Sequence, residues 1–168
     1  MGKQQENFDS IIKKAVEAGR LAAERQPKDA YKATERRLYA LPVLRQKLAD
    51  DKERMQELQE YGPRERSKSI TRFTKGGVRL TKEEIFEAVV LDLQVEIDRD
   101  EFEIKTMETA LQTIEGDEYY QVITGRYIDG LADEDIAAAI PCDTTTVWRN
   151  RKRLIQRLSV RLYGAAAV

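Results

Sequence analysis

The fold is decided by residues 127–163, whose sequence is YIDGLADEDIAAAIPCDTTTVWRNRKRLIQRLSVRLY. The glycine at position 130 follows a run of apolar residues at helical spacing, namely Tyr119, Val122, Ile123, Tyr127 and Ile128. Because glycine adopts positive φ without a steric penalty, it predicts that a helix ends near Ile128. The chain is therefore expected to turn at Gly130 and to begin a new helix beyond it.

Two caps and a proline divide the rest of this stretch into two helices. Asp133 is placed to cap a short helix over residues 134–140, and Pro141 cannot continue that helix because proline lacks the backbone N–H. Asp143 is then placed to cap a helix over residues 144–163. A break of only about three residues between two helices is typical of a helix-turn-helix unit.

The last helix combines an apolar stripe with a positive surface. Its apolar side chains recur near helical spacing, and we expect them to pack inward against the two preceding helices. The inward set is Val147, Leu154, Leu158 and Leu162, expected to contact Val122, Ile136 and Ile140. The helix has no Asp or Glu, and its positive residues are Arg149, Arg151, Lys152, Arg153, Arg157 and Arg161. On a chain with a net charge of −1, this asymmetry indicates a nucleic-acid partner.

The position of each polar residue on this helix predicts its role. A recognition helix enters the major groove of DNA by its N-terminal turns, and an arginine there pairs bidentately with guanine. We therefore predict base contacts by Thr144, Thr145 and Arg149, and contacts to the DNA backbone by Trp148, Lys152 and Arg153.

Other interpretations of the same residues stay open. An amphipathic surface helix, or a docking site for a protein partner, would show a similar charge pattern. The Trp148 side chain suits packing on a neighbouring helix as well as contact with DNA. Cys142 is interpreted as a buried residue of the turn.

At these residues the chain resembles the helix-turn-helix of sigma-factor region 4. The resemblance is carried by YIDGLADEDIAAAI over residues 127–140, a short turn, and TTVWRNRKRL over residues 145–154. The whole arrangement is similar to the ArpU-like phage regulators, which join a charged helical hairpin to such a terminal domain and activate late genes of phages that infect Gram-positive bacteria. The resemblance implies the same roles in DNA binding for Thr144, Thr145, Arg149, Trp148, Lys152 and Arg153. The chain departs from the commoner pattern at Pro141 and Cys142, where a glycine and a hydrophobic residue are usual.

Composition indicates a regulator rather than an enzyme. Of 168 residues, 35% are charged and 7% aromatic, which favours long exposed helices over one thick core. The chain has one cysteine and no histidine, which excludes an internal disulfide, a histidine-assisted nucleophile and a zinc site built on histidine and cysteine. We therefore expect no catalytic residues, no cofactor and no metal. No apolar run approaches the roughly 20 residues that span a bilayer, and no signal peptide is recognisable, so we expect a cytoplasmic, nucleoid-associated protein of a bacterial host, without a membrane partner.

Upstream, the chain is predicted to form a helical association region over residues 1–114. Apolar residues recur on one face over residues 8–21 and predict a first helix. A second helix is predicted over residues 31–61, with Pro42 expected to kink or restart it. A basic segment follows over about residues 62–80, interpreted either as an arm that contacts phosphates or an acidic partner, or as a solvated loop.

A third upstream helix is predicted from a capping box at Thr81 and Glu84 to about Ile114. Its apolar residues follow a heptad spacing that predicts the seam of an antiparallel hairpin or coiled coil. The seam residues are Phe86, Val90, Leu93, Ile97, Ile104, Met107, Leu111 and Ile114. Asp100 interrupts the seam, and it is interpreted either as specifying register or as lying exposed near the Pro42 kink. The outer faces of this helix are acidic, so we expect them to face solvent or protein rather than DNA.

Together these patterns predict an all-α protein whose helical N-terminal part contains a long helical hairpin or coiled coil, followed by a C-terminal helix-turn-helix domain over residues 115–168. With the resemblance, they predict sequence-specific binding of double-stranded DNA in transcription control of phage or prophage late genes, as a sigma-like factor or one that recruits RNA polymerase. Because one recognition helix covers few base pairs, we expect a homo-oligomer, with a dimer favoured, or assistance from the polymerase. The alternatives are a small terminase subunit that serves DNA packaging and a helical adaptor that binds protein.

Overall fold

The computed structural model describes residues 27–62 and 81–167, and this part of the chain is all-α, as predicted. The helices are α1 (Ala30–Tyr61), α2 (Lys82–Gln112), α3 (Tyr120–Ile123), α4 (Asp133–Ala139) and α5 (Thr144–Tyr163). A π-helical segment, Thr124–Ile128, continues α3, and a short 3-10 helix, Ala165–Ala167, follows α5. Among the described helices, none is long and apolar enough to cross a membrane. The predicted helix over residues 8–21 and most of the basic segment lie outside the described residues.

Helix α1 begins where the Asp29 carboxylate accepts the backbone N–H of Lys32, and it ends at Gly62, whose φ is 74°. It passes through Pro42 as one helix, so the predicted restart at this proline is wrong. The physical reason is tertiary packing, because Leu38 and Leu41 are fully buried just before the proline. Their burial offsets the one backbone hydrogen bond that the proline removes.

Helix α2 packs along α1 and forms a long hairpin with it. Its predicted capping box is confirmed, because the Thr81 hydroxyl accepts the Glu84 N–H while the Glu84 carboxylate accepts the Thr81 N–H. Most of the predicted seam is buried, although Val89 replaces the partly exposed Val90 at the end of the hairpin. The seam residues buried as predicted are Leu93, Ile97, Ile104, Met107, Leu111 and Ile114.

Asp100 is only 3% exposed, so the interpretation that it lies exposed near Pro42 is wrong. The Lys47 Nζ donates to one carboxylate oxygen at 2.7 Å, and the Arg99 Nε donates to the other at 3.1 Å. Burial alone would raise the pKa of Asp100, but the hydrogen bonds from these two cations lower it overall. The ion pair separates the two apolar clusters of the hairpin, one containing Leu93 and the other Ile104.

The larger of these clusters also holds the C-terminal helices. It joins side chains from α1, α2, the segment that continues α3, and α5, including Leu38, Met107, Tyr127, Leu154 and Leu158. The predicted division at residues 114/115 stays a prediction, and the described core crosses it. The helix-turn-helix is thereby fixed on the hairpin.

Candidate nucleic-acid interface

The helix-turn-helix unit is built from α3 with its π-helical extension, α4 and α5. Its own core contains Val122, Ile136, Ala137 and Val147, so the predicted inward packing of Val147 is confirmed. Gly125 permits a close approach between helices, because a Cβ atom at this position would lie 3.1 Å from Cγ1 of Ile136. The first two helices of the unit therefore cross with little space between them.

The predicted contacts of Leu154 and Leu158 with Ile136, Ile140 and Val122 are wrong. Both leucines are fully buried, but they belong to the cluster shared with the hairpin. The reason is length, because α5 has 20 residues and α4 only 7. The C-terminal turns of α5 extend beyond α4, and their apolar side chains pack on α1 and α2, where Leu162 is partly buried as well.

The first helix of the unit ends where the sequence predicted, but the N-cap of α4 differs from the predicted one. Gly130 has a φ of 70°, and the preceding helical segment ends at Ile128. Asp133 was predicted to cap α4, but it is the first residue of that helix, and the N-cap is Ala132 without a side-chain hydrogen bond. The Asp133 carboxylate instead accepts a hydrogen bond from Arg151, which draws it away from the capping position.

Asp143 caps α5 as predicted. Its carboxylate accepts the backbone N–H of Thr146 at 2.8 Å and the Thr146 hydroxyl at 2.8 Å. These hydrogen bonds lower the pKa of Asp143, the backbone one most strongly. The cap fixes the first turn of the helix, whose residues Thr144 and Thr145 are both exposed.

The three residues predicted to contact bases are all exposed and lie in the first two turns of α5. Arg149 is exposed and follows Thr145 by four residues, so the two share one face of the helix. Thr144 and Thr145 also line a shallow groove with Trp148, Asp133 and Glu134. Acidic residues thus border the predicted base-reading surface.

Trp148 and Lys152 form one exposed pair. The Trp148 side chain is 51% exposed, so it is not buried against a neighbouring helix. The Lys152 Nζ lies 5.5 Å from the centroid of the indole ring, within cation–π distance. Both side chains are exposed, and their contact with a DNA backbone stays a prediction.

Arg153 has a different environment from Lys152. Its guanidinium donates to both carboxylate oxygens of Asp117, at 2.7 and 2.8 Å, and Arg157 donates to the same carboxylate at 3.1 Å. Hydrogen bonding to Arg153 lowers the pKa of Asp117 to about 2. A phosphate contact by Arg153 must compete with this ion pair.

The positive charge of α5 is therefore divided in two. Three arginines are ion-paired with acidic residues of preceding segments, namely Arg151, Arg153 and Arg157. Within residues 27–62 and 81–167, Arg149, Lys152 and Arg161 form no ion pair and are exposed. Asp117 could not be identified as a partner from the sequence, because it lies 36 residues before Arg153 and no periodic pattern links the two.

Cys142, interpreted from the sequence as a buried residue of the turn, is partly buried, and its backbone N–H donates to the Ala137 carbonyl across the turn. In the part of the chain that the structure describes, no group of three or more Asp, Glu or Cys side chains is placed to hold a metal.

Comparisons with protein-family models, with curated proteins and with solved structures find no match to this chain.

Proposed function

We propose that this protein binds double-stranded DNA sequence-specifically through the N-terminal turns of α5 and regulates transcription. The observation that carries the proposal is the exposed group formed by Thr144, Thr145 and Arg149 on a capped helix end. A major groove admits an α-helix, and hydroxyl and guanidinium groups hydrogen-bond to base edges there. The adjacent Trp148 and Lys152 supply contacts for the DNA backbone.

Rigidity of the helix end supports specific rather than merely electrostatic binding. Asp143 fixes the first turn, and Val147, at the second turn, is fully buried between Val122 and Ile136. Base discrimination needs donors and acceptors at fixed positions, whereas phosphate binding needs only positive charge. A free amphipathic helix would lack the packing that buries Val147 against neighbouring helices.

The biological role proposed here rests on the resemblance to sigma-factor region 4 and to the ArpU-like regulators. The protein acts on phage or prophage late genes in the cytoplasm of a bacterial host, as a sigma-like factor or by recruiting RNA polymerase. A single recognition helix contacts few base pairs, so the protein reads paired half-sites as a homo-oligomer or binds together with the polymerase.

The decisive experiment is selection of bound duplexes from a random pool at physiological salt, because low salt lets phosphate contacts hide sequence preference. We expect an enriched motif of a few base pairs per recognition helix. Binding to DNA without any enriched motif would contradict the proposal and favour DNA packaging by a terminase-like protein. No binding to DNA, alone or with RNA polymerase, would favour an adaptor that binds protein.

Two substitutions separate base contacts from backbone contacts. Arg149→Ala should cost about 1–3 kcal/mol on the selected motif and relax discrimination at one base pair, whereas Lys152→Ala should weaken binding to all sequences about equally. The control is Arg45→Ala, since Arg45 is an exposed cation on α1 that pairs with Glu108, far along the chain from α5. Equal losses on all sequences for Arg149→Ala and Lys152→Ala would contradict the base-reading role of Arg149.

A further inference from the structure

The outer face of α2 carries an apolar stripe that no described residue covers. Leu91 is 66% exposed, Val95 59% and Phe102 72%. Single exposed apolar side chains are ordinary on protein surfaces, whereas a row on one helix face is a feature of interaction sites. The sequence predicted that the outer faces of this helix are acidic and face solvent or protein, and the stripe lies among those acidic residues.

The stripe lies directly across the helix from the core. At about 100° per residue, Leu91, Val95 and Phe102 fall within about 40° of one another. The buried side chains Leu93 and Ile104 point about 160–200° away from the stripe on the same wheel. Helix α2 therefore has two apolar faces, one packed on α1 and one exposed.

We propose that this stripe pairs with the same stripe of a second copy of the chain, with the two α2 helices antiparallel. Heptad seams alternate spacings of four and three residues, and Leu91, Val95 and Phe102 occupy such positions, with Asp98 at the position between Val95 and Phe102. In the antiparallel register that places Phe102 on Leu91 of the partner subunit, Val95 lies near the two-fold axis. Such an isologous contact uses one patch on both subunits and closes as a dimer.

Charge selects the antiparallel arrangement over the parallel one. The acidic residues Glu84 and Glu87 lie on the exposed side at the start of α2, while Lys105 lies on the same side beyond Phe102. Antiparallel pairing places Lys105 beside the acidic end of the partner helix, and it does so twice by symmetry. Parallel pairing would place Lys105 on Lys105 and Glu87 on Glu87, which is unfavourable.

The centre of the paired helices is polar, because Asp98 lies as near to the two-fold axis as Val95 does, and repulsion between its two copies weakens the pairing. Asp98 lies between Val95 and Phe102 on the exposed side, and its carboxylate accepts a hydrogen bond from the Gln94 amide at 2.8 Å. The few apolar side chains make a small interface, so we expect a weak dimer, with a dissociation constant in roughly the micromolar range.

This pairing also sets the distance between the points at which the two helix-turn-helix units attach to the paired helices, and its relation to the DNA half-sites rests on the proposed function. The helix-turn-helix is fixed to the end of α2 around residues 104–114. With the pairing centred between residues 96 and 97, the two attachment points are about 38 Å apart along the helix axis, at about 1.5 Å per residue. One turn of duplex DNA separates half-sites by about 34–36 Å.

The dimer is tested without DNA, so that its failure is distinct from failure of the proposed function. Sedimentation velocity on the full chain should show reversible dimers over roughly 1–100 μM. The double substitution Leu91→Ser, Phe102→Ser should raise the dissociation constant at least about tenfold, since it removes the apolar contacts. Val43→Ser is the matched control, because Val43 is an exposed apolar residue on α1, 71% exposed, and its substitution should change nothing.

Disulfide crosslinking tests the arrangement, in a Cys142→Ser background that removes the single native cysteine. Val95→Cys should crosslink two chains, because the two copies of this position lie about 4–5 Å apart along the axis, whereas Phe102→Cys should not, at about 16–17 Å. Crosslinking at both positions would overturn the antiparallel geometry. A chain that stays monomeric at 100 μM, or a dimer insensitive to the stripe substitutions, would overturn the proposal and favour another occupant, such as residues 8–21.

Discussion

Asp117 decides how much of the positive charge of α5 is available to a ligand. It holds Arg153 through two hydrogen bonds and Arg157 through one, although both arginines are about half exposed. The carboxylate itself is mostly buried, with 12% of its side chain exposed. A single acidic residue thus anchors the middle of α5 to the segment between α2 and α3.

The ion pair of Asp117 predicts a specific response to acid. Its folded pKa, about 2, is below the ordinary value of 3.8, so its stabilisation is fully present above the ordinary value and is lost as pH falls toward 2. Asp117→Asn should therefore be less stable than the wild type at neutral pH and should lose less stability between about pH 4 and pH 2. Thermal unfolding followed by circular dichroism at several pH values measures both effects.

The matched control for this substitution is Asp50→Asn, because Asp50 is an exposed carboxylate on α1 whose described contact is a hydrogen bond from the Gln46 amide. Its pH dependence should follow that of the wild type. If Asp117→Asn and the wild type lost stability in parallel over the acid range, the ion pair would not contribute as the geometry indicates.

Residue-level prediction from sequence succeeded where the physical cause is local. The caps at Thr81 and Asp143 and the positive φ of Gly130 depend on neighbours within a few residues, and all three are confirmed. The partners of Arg151 and Arg153 are 18 and 36 residues away, so no local pattern identifies them. The sequence therefore shows how many positive residues α5 has, but it overestimates how many of them are free of ion pairs.

At the scale of the element, the hairpin contains one buried charge that organises its middle. Asp100 and Lys47 divide the apolar seam of α1 and α2 into two clusters. A buried carboxylate is costly unless its oxygens are hydrogen-bonded, and any register shift of the helices would separate it from Lys47. The interpretation that Asp100 specifies register is consistent with this contact and stays a prediction.

Removal of Lys47 should therefore cost more than removal of a comparable surface cation. Lys47→Met should destabilise the protein by about 1–3 kcal/mol, since it leaves one oxygen of Asp100 without its partner. Lys52→Met is the control, because the Lys52–Glu101 pair is about half exposed on both sides and should contribute less than about 1 kcal/mol. Urea unfolding of both variants measures the difference, and equal losses would contradict a special role for the Asp100 pair.

Element boundaries were predictable only where the backbone signal was strong. The sequence predicted a kink or a restart at Pro42, and burial of Leu38 and Leu41 keeps α1 continuous, which excludes the restart. The π-helical segment Thr124–Ile128 has no compositional signature, and it appears in the structure through the Asp129 N–H bonded to the Thr124 carbonyl. Tertiary packing decides both features, and local helix propensity carries no information about tertiary packing.

At the scale of the whole molecule, the helix-turn-helix and the hairpin share their largest core. Leu154, Ile155 and Leu158 of α5 are fully buried against side chains of α1 and α2. A buried hydroxyl pair, Thr34 with Ser159 at 2.8 Å, adds a polar contact between α1 and α5. The sequence predicted two separate parts, because each shows its own periodicity and the contact between them has no linear pattern.

The shared core predicts that both parts unfold together. Leu41→Ala, on α1, should cost about 2–5 kcal/mol, since Leu41 is fully buried in the common cluster. Trp148 is the single tryptophan of the chain and lies on α5, so its fluorescence reports the helix-turn-helix, while far-ultraviolet circular dichroism reports all helices. In Leu41→Ala both signals should shift to lower denaturant by the same amount, because a cooperative unit gives coincident transitions. A tryptophan transition that stayed at its wild-type midpoint while the circular dichroism midpoint fell would show that the helix-turn-helix folds independently of the hairpin, with the domain boundary where the sequence predicted it.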